Sequence, residues 1–415
     1  MDGSTDERIG RAITAALCAG ADEPPCHNRT VPNDSPRVLM VTPRSPLGQG
    51  GVERHVMEVS RRLASAGVHV EVLCSDPGGR AAGEQIAAGV LVRAVRAWPA
   101  DRDWCFAPGL WRAIARADAD VVHVQSYHTF VGPTAMLRAW TLGIPYLLTF
   151  HGGGHSLLHR NRLRRLQRLL LRPLLAHASR LVAVAPFEIE QYGRELRIPA
   201  ERFALIPNGS DLTAADLGIA GSSNGHSSSH GPVIATIGRL ERYKGHHRVI
   251  AALPYVLEQR PDARIVVVGT GPYEQELRAA AAAAGVADRV EFTSVPAGDR
   301  RGMWDLLQSV SLVALLSDFE THPITALEAA SAHRRLLVSR RGGLIDLIND
   351  GTASGIEPDA PPREVASAIV AGLDRPAPTK TPLLSTWEQC ASALLDLYRS
   401  VARPGPPPTG RGIRS

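Results

Sequence analysis

Short β-branched and apolar runs recur along this chain, each followed by a stretch with helical spacing, and that alternation leaves few folds open. Val38-Leu39-Met40-Val41 is followed by a helical pattern over 52–66 and then by a second apolar run from Val68 to Cys74. Strand, helix, strand in that order needs a crossover connection and therefore a parallel sheet. The rhythm continues through Val121-Val122-His123-Val124, Tyr146-Leu147-Leu148-Thr149, Leu181-Val182-Ala183-Val184 and Ala204-Leu205-Ile206. It stops over 213–231, where Gly218, Gly221, Ser222, Ser223, Gly225, Ser227, Ser228, Ser229 and Gly231 make a segment too polar and flexible to bury a core. It restarts at Val233-Ile234-Ala235-Thr236-Ile237 and runs through 265–268, 290–292, 312–316 and 336–338.

The pattern predicts two doubly wound parallel-sheet (Rossmann-like) domains, over 37–212 and 232–402, joined by the Gly/Ser-rich linker 213–231. The last helix is free to pack back on the first domain. A chain of 415 residues, 44% hydrophobic, is too long for one ordinary core and suits two. Residues 1–36 and 403–415 lack periodicity and are rich in Pro, Gly or Asp, so they are expected to be disordered ends. Ligands of doubly wound sheets bind beyond the carboxyl ends of the strands, so a central cleft between two such sheets is the expected site.

A formal charge of +5 suits a protein that meets anions without saying which. With 5% aromatic residues and no array for stacking bases, nucleic acid is not an expected partner. Cys18, Cys26, Cys74, Cys105 and Cys390 are scattered and read as reduced structural thiols. The stretch Ala12–Ala21 is short, weakly apolar and preceded by acidic residues, so an export signal is not expected. The expected location is the cytoplasm, with membrane association limited to its cytoplasmic face.

Several loops at strand ends carry chemistry. After the run 312–316 comes Glu320-Thr-His-Pro-Ile-Thr-Ala-Leu-Glu328, with Pro323 where a first helical residue is favoured. A helix starting there would aim its free N–H groups and positive dipole end into the cleft, with Glu320 before the helix and Glu328 more than a turn inside it. Arg239 and Lys244 lie in Ile237-Gly-Arg-Leu-Glu-Arg-Tyr-Lys-Gly245, beyond the first strand of the second domain. Gly48-Gln-Gly50-Gly51-Val-Glu-Arg54 opens a helix after the first strand, and Thr149-Phe-His151-Gly-Gly-Gly154 ends another. Gly269-Thr-Gly271-Pro272 lacks the third glycine of a dinucleotide fingerprint and reads as a βα turn at a nucleotide cleft.

Taken together over about 37–402, these elements resemble retaining glycosyltransferases of family 4 (glycosyltransferase group 1), which have the GT-B fold. The resemblance implies a hexosyltransferase using a nucleotide-diphosphate sugar, a UDP- or GDP-sugar, as co-substrate and no other cofactor. The acceptor would be a glycan, a lipid-linked or a small-molecule acceptor on the side of the first domain. It further implies that Arg239, Lys244, Glu320 and His151 serve catalysis, and that Gly50, Gly51, Glu328, Ile324, Thr325 and Gly271 bind the donor. Glu320 would hold sugar hydroxyls and Glu328 the ribose. Pro207-Asn-Gly-Ser-Asp211 matches the segment that closes the first domain of family members. No Asp-x-Asp stands beside histidines at the cleft loops, so no metal is expected and the cations carry the charge compensation.

The chain departs from the family at Thr321-His322-Pro323, where an aromatic or serine and then glycine are usual, and proline removes an N–H from the helix start. His333-Arg-Arg335 replaces a Gly-x-Pro turn, and Asp346 stands where glutamate is frequent. Residues 155–177 form a basic, leucine-rich helical stretch, kinked at Pro173. It is either a packed helix with a solvated basic face or a peripheral membrane contact. Two other functions fit the pattern: a GT-B-fold nucleotide-sugar epimerase and a non-catalytic nucleotide-sugar-binding protein.

Overall fold

In the first sheet, strands whose residues are all buried hold the centre. They are β1 (Val38–Thr42), β5 (Val121–Gln125) and β6 (Tyr146–Thr149). A strand covered on both faces has no reason to alternate polar and apolar residues, so these segments read as mostly apolar runs, with His123, Gln125, Thr42 and Thr149 as buried polar exceptions. β2 (Val70–Pro77), β4 (Val90–Ala97), β7 (Arg180–Ala183) and β8 (Phe203–Leu205) complete the parallel set, and β3 (Gly83–Ala87) pairs antiparallel with β4 at one edge. The order is β3-β4-β2-β1-β5-β6-β7-β8. The second sheet contains β9 (Val233–Ile237), β10 (Arg264–Val268), β11 (Val290–Thr293), β12 (Leu312–Leu315), β13 (Arg335–Ser339) and β14 (Ser354–Ile356) in the order β11-β10-β9-β12-β13-β14, all parallel. That order reverses direction at its first strand, the doubly wound arrangement with a switch point beside β9.

The structure is a computed structural model describing residues 35–48, 51–77, 79, 83–99, 105–152, 158–210, 212, 231–296, 298–378 and 385–402, with side chains left out over 158–165. Of the expected disordered ends, residues 1–34 and 403–415 lie outside the described residues, as do the linker apart from Gly231, and Gly50, Gly153 and Gly154.

The helices flank both sheets: α1 (Gly51–Ser65), α2 (Gly109–Arg116), α3 (Val131–Thr141), α4 (Leu158–His177) and α5 (Pro186–Leu196) in the first half. The second half carries α6 (His246–Leu257), α7 (Glu274–Ala283), α8 (Arg300–Ser309), α9 (Ile324–Ser331), α10 (Leu344–Asn349), α11 (Pro362–Asp374) and α12 (Trp387–Val401). Pro173 sits inside α4. The hairpin β3–β4 and the short β14 were not foreseen from sequence. β3 is an exposed polar edge strand and β14 has only Ser-Gly-Ile, so neither carries an apolar run, while the apolar run of β4 is interrupted by Arg93 and Arg96.

α12 closes the chain on the first sheet. Thr386 and Gln389 form a reciprocal cap at its start. Trp387, Cys390, Leu394 and Tyr398 are buried in the same apolar cluster as Val38, Met40 and Val56. The Tyr398 hydroxyl meets His123 Nδ1 at 2.6 Å, and His123 Nε2 meets Thr149 Oγ1 at 2.8 Å. Leu212 already packs into the second sheet's cluster with Val233 and Ala235. The residues just before α12 meet the end of the first half through Ser210 N–H, which donates to the Ser385 carbonyl at 2.9 Å.

Candidate active site

The phosphate-side loop is built by glycine and by close packing. A short turn, Arg242–Lys244, ends on Gly245 at φ 76°, a conformation that side chains rarely adopt. A Cβ there would lie 2.0 Å from the Leu316 carbonyl oxygen, so only glycine lets this loop lie against the end of β12. Lys244 is thereby brought to Glu320. Its Nζ is 2.6 Å from Glu320 Oε1, and Ser317 Oγ donates to the same oxygen at 2.9 Å. Burial works to remove the Lys244 proton, but the Glu320 carboxylate and the Tyr243 hydroxyl outweigh it, so its pKa stands above the ordinary lysine value.

Arg239 is 58% exposed, held by Glu241 Oε1 at 2.6 Å and by the Tyr243 hydroxyl at 2.8 Å. His246 fixes its backbone: Nδ1 lies 2.8 Å from Thr236 Oγ1, and Nε2 lies 3.1 Å from the Arg239 carbonyl oxygen. Burial holds this imidazole neutral, with its pKa down to about 4. Gly271 supports the same loop. A Cβ on it would lie 2.4 Å from the Leu240 carbonyl oxygen, and Leu240 N–H donates to the Thr270 carbonyl at 2.9 Å.

The start of α9 differs from expectation. Pro323 is the residue before the helix, not its first residue, and the helix begins at Ile324. Ile324 N–H is taken by the His322 carbonyl at 2.9 Å, and Leu327 N–H by the Pro323 carbonyl. Thr325 and Ala326 N–H are therefore left without an acceptor among the described residues. Of the two N–H groups expected to meet the donor, only that of Thr325 is open. Glu320 does precede the helix and Glu328 does lie within it, but they do not share a partner. Glu328, 5% exposed, takes Ser210 Oγ at 2.9 Å and the Arg300 guanidinium on Oε1.

In the first half, His151 follows β6 and packs against His55 on α1. It has φ 43°, a strained value for a non-glycine residue, and its Nε2 is 2.7 Å from Gln125 Oε1. Burial, aided by neighbouring histidines, keeps its pKa well below the ordinary value. The two halves touch here, Thr321 Oγ1 donating to the Gly152 carbonyl. Gly152 N–H leans on Glu188, which also accepts from Val184 N–H at 2.8 Å and whose pKa burial raises to about 7. Gly51 opens α1 and is exposed.

Sequence reasoning missed Ser317, Arg300, Gln125, Glu188 and His246. Each belongs to no motif of its own and acquires its role from a partner brought in by the fold; only the position of Gln125 at a strand's carboxyl end was a usable signal. Among the described residues no three His, Cys, Asp or Glu side chains converge as a metal-holding group. Cys74, Cys105 and Cys390 are free and buried, and burial pushes the Cys74 and Cys390 thiols up to about 12. Among the described residues no helix is long and apolar enough to cross a membrane.

The comparisons agree with this architecture. The model of Glycosyltransferase Family 4 matches residues 49–214, and that of Glycosyl transferases group 1 matches residues 223–374. Glycogen synthase of Mycobacterium tuberculosis is 26% identical over 88% of this chain and 95% of its own. Among solved structures, sucrose-phosphate synthase of Thermosynechococcus elongatus superposes with a TM-score of 0.67 at 19% identity, covering 88% of this chain and 98% of that one. Anabaena HepE in complex with UDP-glucose does so at 0.60 and 18%, covering 87% and 95%. The chain belongs to glycosyltransferase family 4, within the group 1 glycosyltransferases, and is a glycosyltransferase with the GT-B fold.

Proposed function

We propose that this glycosyltransferase moves a hexose from a UDP- or GDP-sugar to a hydroxyl-bearing acceptor, without a metal and with retention of anomeric configuration. The observation that carries the reading is the Lys244–Glu320 pair beside the start of α9, with the exposed Arg239 on the same loop. As the bond from the anomeric carbon to the β-phosphate oxygen breaks, charge builds on the departing diphosphate. Lys244, Arg239 and the Thr325 and Ala326 N–H groups are fixed donors that answer this charge without rearranging. The acceptor oxygen forms its bond on the face the diphosphate leaves, and its proton passes to a phosphate oxygen. Glu320 holds sugar hydroxyls and Glu328 the ribose hydroxyls. UDP-glucose in the HepE complex supports a UDP-sugar as the first donor to try.

A thermal-shift screen of UDP-, GDP-, ADP- and dTDP-sugars, repeated on Arg239→Ala and Glu328→Ala, tests this. One nucleotide sugar should stabilise the wild type, and both variants should lose most of that shift; no stabilisation by any of them would sink the reading. The anomeric configuration of the product, read by NMR, tests retention.

A peripheral membrane contact rests on a separate observation. Phe130 before α3, Trp140 within it, and Leu166, Leu169 and Leu170 on α4 are all exposed, beside a cavity of about 360 Å³ lined by His128, Thr129, Phe130 and Gln167. Large exposed apolar side chains next to a basic helix suit the headgroup boundary of an anionic bilayer, where a lipid-linked acceptor would be met. Co-sedimentation with anionic but not zwitterionic vesicles is the expected result.

A further inference from the structure

Near one edge of the first sheet an aromatic pair faces solvent, on the side where the strands end. Just beyond β4, Trp98 and Phe106 form an isolated antiparallel bridge, Trp98 N–H donating to the Phe106 carbonyl at 3.0 Å and Phe106 N–H to the Trp98 carbonyl at 2.7 Å. Directly opposed residues put their side chains on one side of the ladder. Both rings are half exposed, at 48% and 51%, while the alternate residues Ala97, Cys105 and Ala107 are buried in an apolar cluster of the first sheet. The Arg96 guanidinium lies over the Trp98 ring, 5.2 Å from its centroid. The base of the pair is tied to the cleft. Cys105 Sγ lies 3.3 Å from Ser75 Oγ, which donates to the Pro43 carbonyl in the loop between β1 and α1. Large aromatic rings cost free energy in water, and here the backbone holds two of them outward on one anchored support.

We propose that Trp98 and Phe106 are a stacking platform for a sugar ring of the acceptor held away from the reacting centre, and that the acceptor is therefore a glycan of several linked units. This deepens the reading of a hydroxyl-bearing acceptor above and rests on it. Strand register fixes the spacing. Thr42, the last residue of β1, pairs with Cys74, and Ala97 pairs with Pro77, three residues further along β2. β4 is two strands from β1 and four from β6, beyond which His151 lies. At the usual strand rise and spacing, the pair stands about 10 Å outward of the end of β1 and about 20 Å across the sheet from β6. One sugar ring does not span that gap, and a short chain of them does. The chemistry of the pair also suits a sugar. The negative face of an aromatic ring attracts the C–H groups on one face of a pyranose, and the Arg96 N–H groups are donors for the hydroxyls around its rim. Two half-exposed rings offer about 200 Å², a fraction of the roughly 800 Å² that each partner of a stable protein complex buries, so a small ligand fits them better than a second protein.

The test is binding of the labelled full chain, with UDP or GDP present, to an array of glucose-, galactose- and mannose-based glycans running from single sugars to hexasaccharides. Chains should be bound and single sugars not. Trp98→Ala and Phe106→Ala should each weaken the best-bound chain about tenfold by calorimetry, with Trp98→Phe close to wild type. The thermal shift given by the nucleoside diphosphate should be the same in every variant, which reports that each is folded. Single sugars bound as tightly as chains, no glycan bound by the wild type, or alanine variants that bind chains as the wild type does would each overturn the platform. Alanine variants that lose the diphosphate shift along with the glycan would overturn it as well, by assigning the rings to the fold. Failure of both diphosphates to stabilise the wild type is a distinct result: it would overturn the donor reading, and glycan binding would still decide the platform.

Discussion

Lys244 carries its proton against the pull of burial because Glu320 lies 2.6 Å away, and the pair is only 18% and 20% exposed. An ion pair this far out of water adds little net stability, since desolvation cancels much of its attraction. Its value lies in the charge it presents to a leaving group. Lys244→Ala should therefore lower the rate of donor hydrolysis by about 10²–10³-fold. Ser317 Oγ still donates to Glu320 in this variant, so the urea unfolding free energy should fall by no more than about 3 kcal/mol, the low end of what breaking a buried pair costs. An activity loss matched by a comparable loss of folded protein at assay temperature would assign Lys244 to structure instead. Glu328 is the contrasting case. Buried, and held on one oxygen by both Ser210 and Arg300, it is set by partners from two distant segments. Arg300→Ala strands that carboxylate and should cost about 3–5 kcal/mol of stability, measured by urea denaturation, along with donor affinity.

At the scale of elements, α12 shows how a chain end can serve the fold that began it. Its capping box sets where it starts, and Trp387 is buried in the apolar cluster that α1 and β1 share. Trp387→Ala should cost about 3–5 kcal/mol, as large buried aromatics do. Thr386→Ala should cost about 1 kcal/mol through the lost cap. The measurement is the urea midpoint of each variant at constant slope; a Trp387→Ala midpoint equal to wild type would mean that the helix detaches without consequence. Most strands of the two sheets were legible because buried parallel strands are written mainly in apolar residues. β3 was not, because an exposed edge strand has no such pattern. α9 was legible as a helix but not in its first turn. The His322 carbonyl takes Ile324 N–H, a local contact that depends on how Pro323 is turned.

Across the whole molecule, several histidines are folded away uncharged. Burial depresses His55 to about 4, His123 to about 3 and His246 to about 4. A lowered folded-state pKa means the unfolded chain binds protons first as the pH falls below about 6.5. The stability these groups contribute is thus complete above that pH and is lost between about 6.5 and 3–4, each adding up to about 1.4 kcal/mol per pH unit. Urea midpoints measured from pH 7.5 to 4.5 should fall steeply below 6.5, and His123→Gln should flatten the lower part of the curve; a flat wild-type profile would show these rings to be protonated in the fold. The sequence alone determined the parallel sheets, the break between them and the loops that bear Arg239, Lys244, Glu320, Glu328 and His151, because apolar runs and motifs are local properties of the chain. Only the tertiary structure decided what those residues touch. The partners Ser317, Ser210, Arg300, Gln125 and His55, and the return of α12 to the first sheet, come mostly from distant segments. Their meeting is fixed by packing and burial, which no local pattern encodes.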